Sequence, residues 1–241
     1  MIRFLLHSLL AFGLIAGLHA QNVPLNQMSD TEKTDGWKLL FDGKDAAQWW
    51  RGYKKEKLPE QWGVEDGALV LRKSGGDIIT RDQFESFELS IDWKISKGGN
   101  SGIMFKVLET DDRPWKTGPE IQIQDNKDGK DPQKSGWMYG LYPASVDTTR
   151  PAGEWNQFVL KCVKTPAGTY RCEHWMNGTK YVEYEIGSED WKQKVARSKF
   201  AKMEGFGRAD KGHLCLQDHG QEVAFRNIKI RPLPAGRRLS E

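Results

Sequence analysis

The sequence predicts an all-β fold, with two antiparallel sheets packed as a sandwich and one short helix. Three observations predict it. Segments in which apolar and polar residues alternate recur along the chain, as in Phe87-Glu-Leu-Ser-Ile-Asp-Trp-Lys-Ile95. Asp66-Gly67 and Asn177-Gly178 each separate two such segments, and these dipeptides favour two-residue hairpins. Only residues 188–203 carry a helical pattern, with Ser188 as N-cap and Trp191, Val195 and Phe200 as apolar positions.

The chain begins with Arg3, a mostly apolar run from Phe4 to Ile15, and Ala16-Gly-Leu-His-Ala20. This is the layout of a signal peptide cut after Ala20, and it predicts a secreted or periplasmic bacterial protein. The alternative is an anchor helix, but the run is shorter than the ~20 residues a membrane span needs. Residues 21–35 are polar and aperiodic, and are expected to form a flexible lead-in. A single domain is expected over residues 36–233, with a frayed tail at 234–241.

Within that domain, Gly36 to Gly43 reads as a first strand closed by Asp42-Gly43. Gln61 to Arg72 reads as a hairpin, Asp77 to Thr80 as a short strand, and Phe84 to Ile95 as a half-buried strand with one wet face. Residues 100–106, 120–124 and 213–219 are further strands, and residues 126–136 form a long turn-rich loop. Glu154–Val163 and Thr169–Met176 pair across Thr165-Pro-Ala-Gly-Thr169, and Thr179–Ile186 follows Asn177-Gly178. Glu222–Arg231 closes the domain.

Cys162 and Cys172 are equidistant from Ala167, which puts them opposite each other in the hairpin. Either a cross-strand disulfide or two free buried thiols fits that placement. The third cysteine, Cys215, has no such partner in the sequence, and no Cys/His spacing reads as a zinc site. The formal charge is +3 and no basic stripe stands out, which argues against a nucleic-acid partner. The ten tryptophans are core material first, though exposed Trp also stacks on sugar rings.

The chemistry is expected on three strand faces. In Glu120-Ile-Gln-Ile-Gln124, the isoleucines point one way and Glu120, Gln122 and Gln124 the other. In the same manner Asn100, Gly102, Met104 and Lys106 share one face, and His213, Cys215, Gln217 and His219 share another. Side by side in one sheet, these faces make a floor of amide, acid and imidazole groups. Glu120 is the best general acid or base, because burial would raise its pKa; the alternative is a solvated Glu on a wet face. No nucleophile elbow, Walker loop, HExxH or dinucleotide fingerprint occurs. Trp137 and Tyr139 lie beside the long loop, as a wall for a sugar or as core aromatics.

Taken together, several segments resemble the 3-keto-disaccharide hydrolase domain family. They are Gly36-Trp37, Leu40-Phe-Asp-Gly-Lys44, Asn100-Ser-Gly-Ile103, Glu120-Ile-Gln-Ile-Gln-Asp125, Gly153-Glu-Trp-Asn156, His174-Trp-Met-Asn-Gly178, Leu216-Gln-Asp-His-Gly220 and Phe225-Arg-Asn-Ile228. The resemblance runs from about Gly36 to Leu233. It implies a jelly roll of the concanavalin A-like lectin/glucanase type. It also implies cleavage of glycosides oxidised at C3, by removal of the C2 proton and elimination of the C1 aglycone. Carried over residue by residue, it makes Glu120 and His219 the catalytic pair. Asn100, Gln122 and Gln217 would bind hydroxyls or the ketone, with Lys106 where many members carry Arg, and Trp137 and Tyr139 as walls. No cofactor is implied, though a divalent ion on Glu120, Asp125 or His219 would stabilise the enediolate. The expected partner is an oligosaccharide or 3-keto-glycoside, with no nucleic acid and no membrane once the leader is removed. Two other readings stay open. One is a non-catalytic carbohydrate-binding sandwich. The other is an ordinary endo-glucanase, which would want several acids on one strand, where this chain offers one acid among amides.

Overall fold

In the computed structural model, residues 23–237 are described, so the predicted leader at 1–20 and the last residues of the tail lie outside them. The strands are β1 (Lys38–Leu39), β2 (Trp50–Gly52), β3 (Trp62–Glu65), β4 (Ala68–Leu71), β5 (Ile78–Thr80), β6 (Phe87–Ile95), β7 (Asn100–Val107), β8 (Glu120–Gln124), β9 (Asn156–Lys164), β10 (Tyr170–Met176), β11 (Thr179–Ile186), β12 (His213–Leu216) and β13 (Val223–Pro232). The larger sheet runs β11-β10-β9-β6-β13-β4-β3, with β1 also on β13, and the smaller runs β2-β5-β12-β7-β8. All pairings are antiparallel. The expected two-sheet sandwich is therefore the observed architecture.

Alternation does what the sequence predicts. Phe87, Leu89, Ile91, Trp93 and Ile95 of β6 are buried in the core between the sheets. Ile103, Phe105, Ile121, Ile123, Leu214 and Leu216 enter the same core from the smaller sheet. Both predicted hairpins form: Asp66 and Gly67 have φ of 49° and 72°, and Asn177 and Gly178 have 49° and 80°. Positive φ at both central residues is what a type I′ turn requires, and Asn, Asp and Gly tolerate it. Cys162 and Cys172 are register partners, as their spacing predicts, and both thiols are free and buried.

Two elements differ from expectation. The lead-in contains a short helix, α1 (Asp30–Thr34), capped by Ser29 and Glu32 in a reciprocal capping box. Its Glu32 takes an ion pair from Lys229 of β13 at 2.8 Å, which ties the segment down. The predicted helix is α2 (Glu189–Ala196), shorter than its periodic window but with Ser188 as N-cap, accepting from the Trp191 N–H. Among the described residues, no helix is long and apolar enough to cross a membrane.

Candidate functional site

The outer face of the smaller sheet carries the candidate site. Glu120 and Gln122 point outward from β8 because Ile121 and Ile123 are committed to the core. Asn100 rises from the neighbouring β7, where it is paired with Gln124. β12 ends at Leu216, so the next residues leave the ladder. Asp218 turns away and accepts the Gly75 and Gly76 N–H groups, both at 2.7 Å, while Gln217 and His219 turn to the site. Asn100, Glu120, Gln122, Gln217, Tyr139 and His219 thus line one cavity of about 180 Å³. Six of the eight residues expected at the site meet there.

The other two lie elsewhere. Lys106 was expected on the face of Asn100, but β7 carries a bulge. His213 pairs with Val107 and Cys215 with Met104, so Phe105 and Lys106 together oppose Leu214. Lys106 adopts φ of 55°, and its fully buried ammonium donates to the carbonyls of Asp210 at 2.6 Å and Glu85 at 3.1 Å. It also stands 3.3 Å over the Tyr170 ring. The extra residue breaks the alternation from which the expectation came. His213, paired with Val107 beyond the bulge, is not part of the cavity lining, and its Nδ1 lies 2.6 Å from the Thr80 carbonyl. Trp137 gives its carbonyl to the Gln122 N–H at 3.1 Å but is not part of the cavity lining.

Three cavity residues carry no periodic signal in the sequence. Trp115 comes from a single 3-10 turn, Pro114–Lys116, and packs on Ile79, Met104 and Val107. Asp131 comes from the long loop and accepts the Tyr139 hydroxyl at 2.8 Å. Lys199 comes from the turns after α2. Trp191 holds that helix against Tyr184 and Phe206, and Phe200 stacks on Phe206 at 4.0 Å between ring centroids. With Phe200 so anchored, its neighbour Lys199 is presented to the cavity, its ammonium 4.1 Å from the Tyr139 ring centroid.

Electrostatics single out Glu120. Burial pushes its carboxyl up to about 7, with Asp77 and Asp131 adding to the rise. The Lys199 ammonium and a hydrogen bond from Gln217 oppose it. Burial lowers Lys199 below its ordinary range, against the pull of Glu120 and Asp131. Asp77, just before β5, is pushed up to about 6 by burial, although its Oδ1 accepts the Asp218 N–H at 2.9 Å. A carboxyl poised near neutrality can both take and return a proton. Around it, Asn100 Oδ1, Gln217 Oε1 and both polar atoms of Gln122 are buried without a hydrogen-bond partner among the described residues. Unpaired buried amides cost free energy, so their grouping around one carboxyl marks a surface made for a polar ligand.

Asp125 does not join this group. Its carboxylate accepts the Gly98 N–H at 2.9 Å and the Lys127 N–H at 3.0 Å, fastening the loop after β8. Among the described residues, no group of three or more His, Cys, Asp or Glu side chains is placed to hold a metal ion.

Residues 36–231 match the family model described as the 3-keto-alpha-glucoside-1,2-lyase-like domain. A curated relative, the 3-keto-disaccharide hydrolase of Bacteroides thetaiotaomicron, is 33% identical over 235 residues, covering 83% of this chain and 79% of its own. A crystal structure from Parabacteroides distasonis, described as a candidate glycosyl hydrolase, is 35% identical with a TM-score of 0.79, covering 88% of this chain and 100% of its own. A second structure from that organism with the same description is 29% identical with a TM-score of 0.57, covering 76% of this chain and 99% of its own.

Proposed function

Because the chain belongs to the 3-keto-alpha-glucoside-1,2-lyase-like domain family, we propose that it cleaves glycosides whose sugar is oxidised at C3. The observation that carries this reading is the Glu120 carboxyl, held near neutrality in a small cavity floored by unpaired amides.

A ketone at C3 acidifies the C2 proton. Glu120 takes that proton; the C–H electron pair becomes the C2=C3 bond, and the carbonyl pair moves onto O3. When O3 reforms its double bond, the C2=C3 pair becomes C1=C2, and the C1–O bond breaks with its electrons on the aglycone oxygen. His219, exposed at the rim, supplies the aglycone's proton. Addition of water across C1=C2 completes a net hydrolysis. The amides of Asn100, Gln122 and Gln217 orient the hydroxyls and ketone so that the C2 proton faces Glu120.

Purified protein is incubated with a 3-keto-disaccharide and, separately, with the unoxidised parent. Release is expected from the keto sugar alone, with a loss of at least ~100-fold in Glu120→Gln. Equal release from both sugars, or full activity in the variant, overturns the reading. Calorimetric binding without turnover would instead identify a carbohydrate-binding module.

A further inference from the structure

We propose that Lys199 is the group that holds the negative charge formed on the substrate's carbonyl oxygen. The inference rests on the reading above and assigns a residue that neither sequence periodicity nor the strand floor pointed to. Lys199 lines the same cavity as Glu120 and Gln122, but from the opposite quarter, on the turns after α2 rather than on the sheet.

Lys199 is exposed at the cavity's edge, and its ammonium makes no ion pair or hydrogen bond with the described residues. Its contacts are aromatic: Tyr139 at 4.1 Å, Phe200 at 5.2 Å and Trp115 at 5.8 Å from the ring centroids. These rings orient a cation without using its N–H groups. All three donors therefore stay available to a ligand. The contrast with Lys106 is direct, since that ammonium spends its donors on two backbone carbonyls.

The charges around Lys199 fit the role. Glu120 and Asp131 face it electrostatically, and Asp131 is engaged by the Tyr139 hydroxyl. When Glu120 takes the C2 proton it becomes neutral, and the negative charge passes to the ketone oxygen. A cation fixed beside both positions stabilises the base before transfer and the oxyanion after it. In a confined site such a donor needs no reorganisation at the moment of reaction. The electron pair never leaves the substrate, and Lys199 remains protonated throughout.

The test compares wild type, Lys199→Met and Lys199→Arg on two 3-keto-glucosides, one with a 4-nitrophenyl and one with a methyl aglycone. Lys199→Met is expected to lower kcat by ~100-fold or more on both, with a smaller change in KM, and Lys199→Arg to recover part of the loss on both. A loss confined to the methyl glucoside would make Lys199 the aglycone's acid and overturn the assignment, as would undiminished turnover. Unchanged thermal unfolding of the variants separates either outcome from misfolding. Should wild type turn over neither substrate, the proposed function fails by itself. The placement of Lys199 is then read from carboxyl carbon-13 titration of Glu120: an upward move in Lys199→Met supports the charge pairing, and an unmoved titration overturns it.

Discussion

Gly102 on β7 lies so close beneath Glu120 that a methyl group there would stand 2.5 Å from Glu120 Oε1, and 3.0 Å from its Cγ. The glycine of the Asn-Ser-Gly segment is thus the seat of the carboxyl. Its backbone φ is not in the left-handed region, so the requirement is for space and not for conformation. Gly102→Ala is expected to push the carboxyl off its position and lower kcat by roughly 10- to 100-fold. The unfolding temperature should move little, because the side chain can swing toward the cavity. Unaltered kcat would show that the seat does not position the base.

The buried amide of Gln122 sets function against stability. Both of its polar atoms lack partners among the described residues. Gln122→Met keeps the length and removes the unpaired groups, so unfolding free energy should hold or rise by about 1 kcal/mol. The KM for a 3-keto-disaccharide should rise by roughly 10-fold. Denaturant unfolding and steady-state kinetics on the same preparation check both signs.

Much of this site was legible in the sequence, and the part that was not has an identifiable cause. β8 alternates without interruption, so the outward direction of Glu120 and Gln122 followed from Ile121 and Ile123 alone. β7 reads just as regularly, yet one extra residue at its end sends Lys106 inward. A bulge has no composition of its own in a segment like Met104-Phe-Lys-Val107. Asp131, Trp115 and Lys199 come from loops and single turns, where the chain path and not a period decides which side chains converge. The capping box of α1 was readable as Ser29-x-x-Glu32, but the polar surroundings masked it.

Glu120 also links stability to pH. Its carboxyl titrates at about 7 in the folded protein against an ordinary 4.5, so between these values the folded state binds the extra proton. The contribution is fully present below about 4.5, is lost as pH rises toward 7, and amounts to roughly 3 kcal/mol. Glu120→Gln removes the dependence. Its unfolding free energy should fall less than that of wild type between pH 5 and 8, checked by parallel urea titrations. Identical slopes would place the carboxyl in water.

The same titration governs activity. As a base, Glu120 works only when ionised, so kcat/KM should rise through a half-point near pH 7. A half-point near the ordinary carboxyl value of 4.5 would show that the carboxyl is not desolvated in the free enzyme.

Lys106 is expected to matter for folding and not for substrate. Lys106→Met leaves the Glu85 carbonyl without its donor and the Asp210 carbonyl with the Tyr170 hydroxyl alone, and should cost roughly 2 kcal/mol of stability. The KM of the folded fraction should equal that of wild type. A raised KM at unchanged stability would return Lys106 to the site.

Whether Glu120 removes the proton at C2 is read most directly by running the cleavage of a 3-keto-disaccharide in D₂O. Mass and NMR spectra of the released keto sugar then show where label enters. Elimination and water addition put one deuterium at C2 in every turnover, and Glu120→Gln yields neither sugar nor label at the wild-type rate. Sugar released with ordinary hydrogen at C2 would mean direct displacement at C1, and the carboxyl would not be the base proposed for it.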